Sequence, residues 1–148
     1  MNYSEIFHQY KDDVYRLAIS YTKSREDAED ICQTVFLKLM EQKDFLPGRE
    51  KAWLMQVTAN ECRNLLRSHW WKTTVSMDDT LSVDVPEINE VLQSVLSLKP
   101  KYRVVVYLFY YEMLSTEEIA KLLHIKRSCV TTRLSRAREI LKSKLEEV

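Results

Sequence analysis

Glycine, proline and cysteine are scarce in this sequence. The 148 residues include one glycine, three prolines and three cysteines. Because tight hairpin turns depend heavily on glycine, a chain this poor in it is not expected to form a β-sheet protein. The single glycine also excludes the glycine-rich loops that hold nucleotide phosphates. Helix-favouring residues fill the long stretches between the few turns. We therefore predict an all-α fold.

The cysteines and histidines form no arrangement typical of a metal site or a catalytic site. Cys32, Cys62 and Cys129 lie far apart, and no pair of them has C-x-x-C spacing. The three histidines are scattered, and no set of serine, histidine and aspartate suggests an activated nucleophile. The sequence therefore predicts reduced thiols, no metal, no cofactor and no enzymatic activity.

Long apolar segments are also absent. No apolar run approaches the roughly 18 residues that a membrane-spanning helix needs. Residues 1–8 lack the basic start and following apolar stretch of a secretory signal. We expect a cytoplasmic protein that is not inserted in a membrane.

The formal net charge of zero conceals an uneven distribution of charge along the chain. Residues 1–70 carry ten lysines and arginines against eleven acids, residues 71–90 one against five, and residues 91–148 eleven against six. The acidic segment lacks helical periodicity and is rich in serine, threonine and aspartate, which is typical of a linker. We predict two small helical domains, 1–71 and 88–148, joined by a flexible linker over 72–87. The basic second domain suits nucleic-acid binding.

Residues 115–138 have the pattern of a helix-turn-helix. Ser115 and Glu118 are spaced to cap the first helix reciprocally, just ahead of a short apolar face. After a tight turn, apolar residues recur at helical spacing from Val130 to Leu141, while hydroxyls and arginines project on the opposite side. Such side chains reach base edges and phosphates in a major groove. The segment favours DNA reading over the alternative, a solvated basic helix in an ordinary bundle.

Two helices predicted in the first domain carry polar clusters. Near the start of the second helix stand four carboxylates, Glu26, Asp27, Glu29 and Asp30. They either interact favourably with the helix dipole or dock on a partner. A third helix, predicted over 51–71, interleaves amides and arginines with apolar residues, so it can stack on and hydrogen-bond unstacked bases. Core packing is the simpler explanation for Trp53 in that helix.

Three segments stand in a characteristic order, namely Arg25–Leu37, Ala52–Arg67, and Leu98–Arg103 followed by the helix-turn-helix. In this order and spacing they resemble the sigma-70 family of RNA polymerase sigma factors, of the extracytoplasmic-function type. The first is similar to the segment that grips the clamp helices of RNA polymerase, and the second to the helix that melts and reads the minus-10 element. The third leads, as in the family, into the minus-35 domain. The resemblance covers nearly the whole chain.

The resemblance implies a transcription initiation factor that binds core RNA polymerase and directs it to specific promoters. It implies core polymerase and promoter DNA as partners, and it makes an anti-sigma protein a candidate third partner. The residues expected to bind polymerase are Asp27, Glu29, Asp30 and Gln33. Those expected at minus-10 DNA are Phe45, Asn60, Arg63, Asn64 and Arg67. Those expected at minus-35 DNA are Lys126, Arg127, Ser128, Thr131, Thr132, Arg133 and Arg136.

Four positions depart from the family pattern. His124 stands where the family usually has the turn glycine, and Lys126 where it usually has a serine or threonine cap. Thr131 falls where many members carry a basic residue, and Asn64 where many carry aspartate. We expect strain in the turn, and the promoter preference cannot be borrowed from a relative.

Two other functions are compatible with a helical chain of this composition. One is a dimeric helix-turn-helix regulator whose first domain senses a partner, and the other is a helical adaptor that binds only proteins. The acidic helix start and the polar third helix count against the regulator. The adaptor leaves the arginine-rich helix unexplained. A run-off transcription assay with core polymerase separates the three functions.

Overall fold

The computed structural model describes residues 2–42, 48–72 and 90–146. All regular elements within these residues are helical. They are α1 (Tyr3–Thr22), α2 (Arg25–Glu41), α3 (Glu50–Lys72), α4 (Glu90–Leu96), α5 (Pro100–Val106), a π-helical turn (Tyr107–Tyr111), α6 (Thr116–Leu123) and α7 (Arg127–Glu146). The predicted all-α fold is confirmed.

The chain divides into two compact units, residues 1–81 and residues 82–148. The prediction of two helical domains joined by a linker is confirmed. The particular bounds 1–71, 72–87 and 88–148 stay a prediction, since residues 73–87 lie outside the described residues. None of the helices in the described part of the chain is long and apolar enough to cross a membrane.

The first unit is a bundle in which α1, α2 and α3 all pack against one another. Helix α2 begins where the Ser24 hydroxyl accepts a hydrogen bond from the Asp27 amide at 3.2 Å. Apolar residues at helical spacing turn inward, and Leu17, Val35 and Leu54 are completely buried. This packing leaves the outer sides of α2 and α3 for polar residues.

In the second unit α7 is the common partner of α4, α5 and α6. Its apolar stripe is buried as predicted at Val130, Leu134 and Ala137, while Leu141 is only half-buried. Because one side of α7 fills the core, its hydroxyls and arginines are turned outward.

A buried arginine ties α5 to the residues before it. The Arg103 side chain is 2% exposed, and its Nη1 donates to the carbonyl oxygens of Leu98 at 2.9 Å and Leu96 at 3.3 Å. Burial lowers the pKa of Arg103 to about 10, which still leaves the guanidinium charged at neutral pH. Arg103 therefore fixes the start of α5 within the core of the unit.

The apolar run from Tyr102 to Tyr111 is helical, but its last five residues form a π-helical turn. Tyr107 and Leu108 are buried, whereas Tyr110 is 47% and Tyr111 is 52% exposed. The run is therefore buried over most of its length and exposed at its end, where the wider turn rotates two rings toward solvent.

Candidate functional sites

The outer side of α2 carries most of the residues expected to bind RNA polymerase. Glu29, Asp30 and Gln33 are exposed on one side of the helix. Leu37 and Met40 continue this side and are 62% and 63% exposed. Neither was expected to be functional. The exposure of Leu37 could have been predicted from the sequence, because Leu37 lies off the apolar stripe that includes Val35 and Leu39.

A groove of about 660 Å³ lies between α1 and α2, beside the exposed side of α2. Phe7 and Phe36 form part of its wall, and their rings meet edge to face with centroids 4.9 Å apart. Glu29, Gln33 and Leu37 line the same groove. The groove and the exposed side of α2 are therefore one surface, which we call the α1–α2 surface.

Asp27 differs from the other acids of α2. Its side chain is half-buried, and its backbone amide is capped by Ser24. It stands in the first turn of the helix, where a carboxylate interacts favourably with the helix dipole. Asp27 thus has a role in starting the helix in addition to the predicted role in polymerase binding.

The two thiols of the first unit are protected. Cys32 is half-buried and lines the groove, while Cys62 is fully buried. Burial, together with the nearby negative charge of Glu29, raises the pKa of Cys32 to about 12. Burial also raises the pKa of Cys62 well above its usual range, with smaller contributions from Cys32 and Glu61. Because the thiolate is the reactive form, neither side chain is suited to nucleophilic chemistry.

Helix α3 presents a row of amides and arginines on its outer side. Gln56 Nε2 donates to Asn60 Oδ1 at 3.1 Å, and the Arg63 guanidinium donates to the same oxygen. Asn64 and Arg67 are exposed further along the helix. Four of the five residues expected at minus-10 DNA therefore lie on one side of α3. Phe45, the fifth, lies outside the described residues.

The shared Asn60 oxygen determines what the α3 row offers to a ligand. Arg63 has no acceptor, so the Asn60 atom that faces it must be the amide oxygen. That oxygen already accepts from two donors, so the row presents the Asn60 NH₂ group to a ligand. Gln56 lies one turn before Asn60 and supports this geometry. Its role was not predicted, although its helical spacing from Asn60 could have indicated it.

The turn of the helix-turn-helix is built as the sequence indicates. Ser115 and Glu118 form a capping box with hydrogen bonds of 3.1 Å in both directions. At the other end of α6, His124 has φ 57°, the left-handed conformation that favours glycine. The Ile125 amide bonds to the Ala120 carbonyl, and the His124 amide to the Lys121 carbonyl, which is a Schellman ending. The strain expected at His124 is thus real.

The outer side of α7 exposes Ser128, Thr131, Thr132 and Arg136. The Thr131 and Thr132 hydroxyls donate to the Ser128 carbonyl at 3.0 and 2.8 Å. Since each hydroxyl proton is used within the helix, these threonines offer a methyl group and an acceptor oxygen. This combination suits the thymine methyl group and the amino groups of adenine and cytosine in a major groove.

The remaining residues expected at minus-35 DNA lie around this outer side. Lys126, just before α7, is exposed, and Arg133 is half-buried. Arg127 is exposed, but its guanidinium is bonded to α6, with Nε donating to Thr116 Oγ1 at 3.2 Å. The Arg127 Nη1 atom also lies 3.4 Å from Glu117 Oε1. Arg127 must exchange this ion pair in order to bind a phosphate.

Tyr102 on α5 lies in a positively charged environment. Lys101 Nζ lies 5.0 Å from the centroid of the Tyr102 ring. Partial desolvation raises the pKa of Tyr102, but the positive charges of Arg136 and Lys101 outweigh it and lower that pKa. Arg136 also lines a concave surface on α7, together with Thr131, Thr132, Ser135 and Glu139.

Both units match models of known protein families. Residues 6–72 match the family model Sigma-70 region 2, and residues 88–141 match the model Sigma-70, region 4. The ECF RNA polymerase sigma factor SigM of Bacillus subtilis is 32% identical over 155 residues, covering 97% of this chain and 94% of that protein. The ECF RNA polymerase sigma factor SigE of Mycolicibacterium smegmatis is 29% identical, covering 97% of this chain and 62% of that protein.

A solved structure has the same fold. The sigma factor RpoE from Bartonella quintana, in complex with the anti-sigma factor NepR, superposes with a TM-score of 0.74. The sequence identity is 21%, and the match covers 97% of this chain and 96% of that one.

The chain belongs to the sigma-70 family. Within that family it is an extracytoplasmic-function sigma factor, a transcription initiation factor that binds core RNA polymerase and directs it to specific promoters. It is not an enzyme. The family, fold and function predicted from the sequence are therefore confirmed, while the assignments of individual site residues stay predictions.

Proposed function

We propose that the α1–α2 surface is where the first unit docks on core RNA polymerase. Its carboxylates, Glu29 and Asp30, suit a basic partner surface, and Leu37 and Met40 supply exposed apolar area beside them. A protein interface combines these two elements, an apolar centre that carries most of the affinity and charges at the rim that steer association. Asp27 contributes from the first turn of α2.

The outer side of α3 is proposed to hold the opened minus-10 strand. The Asn60 NH₂ group suits the acceptor atoms of unstacked bases, and the positive charges of Arg63 and Arg67 suit the backbone phosphates. Asn64 is exposed next to this row. Phe45 is retained in this proposal on the family resemblance alone.

The outer side of α7 is proposed to read the minus-35 element. The observation that carries this proposal is the exposed row of Ser128, Thr131, Thr132 and Arg136, presented by a helix that follows a capped helix and a Schellman turn. Threonine methyl groups and acceptor oxygens suit base edges, whereas Lys126, Arg127, Arg133 and Arg136 suit phosphates.

Transcription of fragmented genomic DNA by core polymerase, with and without this chain, tests the function. We expect a small set of run-off transcripts that depend on the chain, and alignment of their start regions yields the two promoter elements. Thr132→Ala should change which minus-35 sequence is enriched. Glu29→Ala with Asp30→Ala should reduce all transcripts alike, because it weakens polymerase binding and not promoter choice. An unchanged transcript set with Thr132→Ala contradicts the role given to α7.

We further propose that an anti-sigma protein holds this chain inactive in the cytoplasm, where RNA polymerase acts. The support is the solved relative, which was captured with the anti-sigma factor NepR. An anti-sigma protein that covers the α1–α2 surface would compete with core polymerase. Affinity purification of the tagged chain from cells lacking free core polymerase tests this, and the variant Leu37→Asp should lose the captured partner if that surface is used.

A further inference from the structure

Two hydrogen bonds on the outer side of α3 converge on the side chain of Asn60. Gln56 Nε2 donates to Asn60 Oδ1 at 3.1 Å from one turn earlier, and the Arg63 guanidinium donates to the same oxygen from the following turn. The three residues stand at helical spacing, so they share one side of the helix. All three are half-buried. The network is therefore built within α3 alone.

The directions of these bonds follow from the chemistry of Arg63. A guanidinium only donates, so the Asn60 atom that it meets is the carbonyl oxygen, and the Gln56 atom that meets the same oxygen is its NH₂ group. Both donors lie on the oxygen side of the Asn60 amide, and the Asn60 NH₂ group is turned away from them. An asparagine without such partners can turn over and offer either an acceptor or a donor. This one is held in a single orientation.

Gln56 stands on a firmly packed part of α3. Leu54 and Met55, just before it, are 0% and 5% exposed, and the buried Thr58 hydroxyl donates to the Leu54 carbonyl at 2.6 Å. The helix itself packs against both α1 and α2. The backbone at Gln56 cannot shift without breaking these contacts, so the Gln56 donor keeps a constant place relative to Asn60.

The two donors to Asn60 differ in how they respond to DNA. Arg63 is proposed to bind a backbone phosphate, and a charged acceptor attracts a guanidinium more strongly than a neutral amide oxygen does. Gln56 carries no charge and is not drawn to a phosphate in this way. When Arg63 turns to a phosphate, Gln56 is the donor that stays on the Asn60 oxygen.

We propose that Gln56 is a positioning residue for minus-10 recognition, which holds the Asn60 amide with its NH₂ group toward the DNA strand. The inference rests on the proposed function of α3 and adds to it a residue outside the set of DNA contacts. Asn60 then reads a base as a donor only, so it favours an accepting atom, such as a base carbonyl oxygen, over an amino group. Gln56 acts through Asn60 and need not touch the DNA itself.

The test uses the full chain assembled with core polymerase and the promoter of the strongest run-off transcript, with its minus-10 element randomised. Sequencing of the transcribed templates gives the base preference at each position, and Asn60→Ala identifies the position that Asn60 reads. Gln56→Met removes the donor and keeps most of the side-chain length, so the preference at that position should weaken by about three- to tenfold, the usual worth of one hydrogen bond. The double variant should lose no more than Asn60→Ala alone, because Gln56 then has nothing to position.

A second substitution at the same place changes the direction of the effect. Gln56→Glu replaces the donor with a carboxylate that only accepts, so it attracts the Asn60 NH₂ group and turns the Asn60 oxygen to the DNA. The preference at that one position should move toward bases that present an amino group, while the added negative charge weakens all promoters alike. A residue that only supports the fold would not produce this change of preference.

The controls are a matched substitution and a measurement of folding. Gln9→Met is the same change at an exposed position of α1 and should leave the minus-10 preference as it is. The minus-35 preference should be unchanged in every variant at Gln56. Urea unfolding of each free variant checks that the fold survives.

The possible results separate the inference from the function beneath it. If Asn60→Ala abolishes a base preference that Gln56→Met and Gln56→Glu leave intact, the positioning role is overturned while the role of α3 stands. If Gln56→Met lowers transcription without altering the preference, or if its effect adds to that of Asn60→Ala, the positioning role is also overturned. If Asn60→Ala leaves every minus-10 preference intact, Asn60 is not a base contact and the minus-10 assignment itself falls.

Discussion

Arg127, the first residue of α7, is paired with Glu117 in the first turn of α6, with 3.4 Å between Nη1 and Oε1. Both side chains are exposed, so the pair contributes at most about 1 kcal/mol to stability. A DNA phosphate can therefore replace the carboxylate. The pair sets up a competition between Glu117 and the phosphate for the same guanidinium.

Glu117→Gln should strengthen promoter binding because it removes that competition together with a negative charge near the DNA. We expect a gain of about two- to fivefold at low salt and a salt slope steeper by up to about one unit. Titration of holoenzyme with promoter DNA at several salt concentrations measures both. Glu5→Gln, the same charge change in the first unit, is the control. Weaker binding of Glu117→Gln would mean that the ion pair orients Arg127 for DNA.

Lys126→Ser should separate stability from DNA binding. Lysine has no acceptor for the free amides at the start of α7, whereas serine is a strong N-cap and should raise the free energy of unfolding by about 1 kcal/mol. The same change removes a proposed phosphate contact, so the salt slope should fall by about one unit. Urea unfolding and promoter titration report the two effects. Lys121→Ser, on α6, should not alter the salt slope.

Met113→Gly should stabilise the second unit. Met113 has φ 58° and is 80% exposed, so the side chain incurs the cost of a left-handed backbone without burying surface. Relief of this strain is worth about 1 kcal/mol. His124→Gly, at φ 57°, should give a smaller gain because histidine adopts the left-handed conformation more readily than methionine. Thermal unfolding measures both, and Lys142→Gly inside α7 should instead destabilise.

Arg103→Met should be among the most damaging substitutions in the second unit. It leaves the Leu98 and Leu96 carbonyls without their charged donor in a buried place, a loss of about 2 to 4 kcal/mol. Methionine keeps most of the volume, so the effect reports hydrogen bonding more than packing. Urea unfolding is the measurement, with Arg133→Met as the control on α7. A loss below that of the control would show that water replaces the guanidinium.

Cys32 should react slowly with iodoacetamide despite its place beside the groove. With the pKa of Cys32 raised to about 12, only about one thiol in ten thousand is ionised at pH 8. Unfolding in urea restores an ordinary thiol and should accelerate alkylation by about a thousandfold. Mass spectrometry of peptides after timed labelling follows the site. Fast labelling of Cys32 in the folded chain would contradict a neutral, half-buried thiol.

Local features of the fold were predictable because they depend on residues a few positions apart. The capping box of Ser115 and Glu118 and the Ser24 cap each involve residues three apart, and the apolar period of α7 places Val130, Leu134 and Ala137 inward. The left-handed turn at His124 follows from its position at the end of α6, where the family usually has glycine. The order of three motifs was enough to identify the family.

Partners distant in the sequence were decided only by tertiary packing. Arg138, for example, bonds to Tyr110 across 28 positions of the sequence. The rings of Tyr110 and Tyr111 are exposed because the turn that carries them is π-helical and wider than an α-helical turn. The spacing of apolar residues in the sequence does not reveal such a turn. The sequence determined the helices, their caps and the kinds of side chain on each face, since these rest on local energetics. The structure alone decided which of those side chains meet, because that depends on how the helices pack.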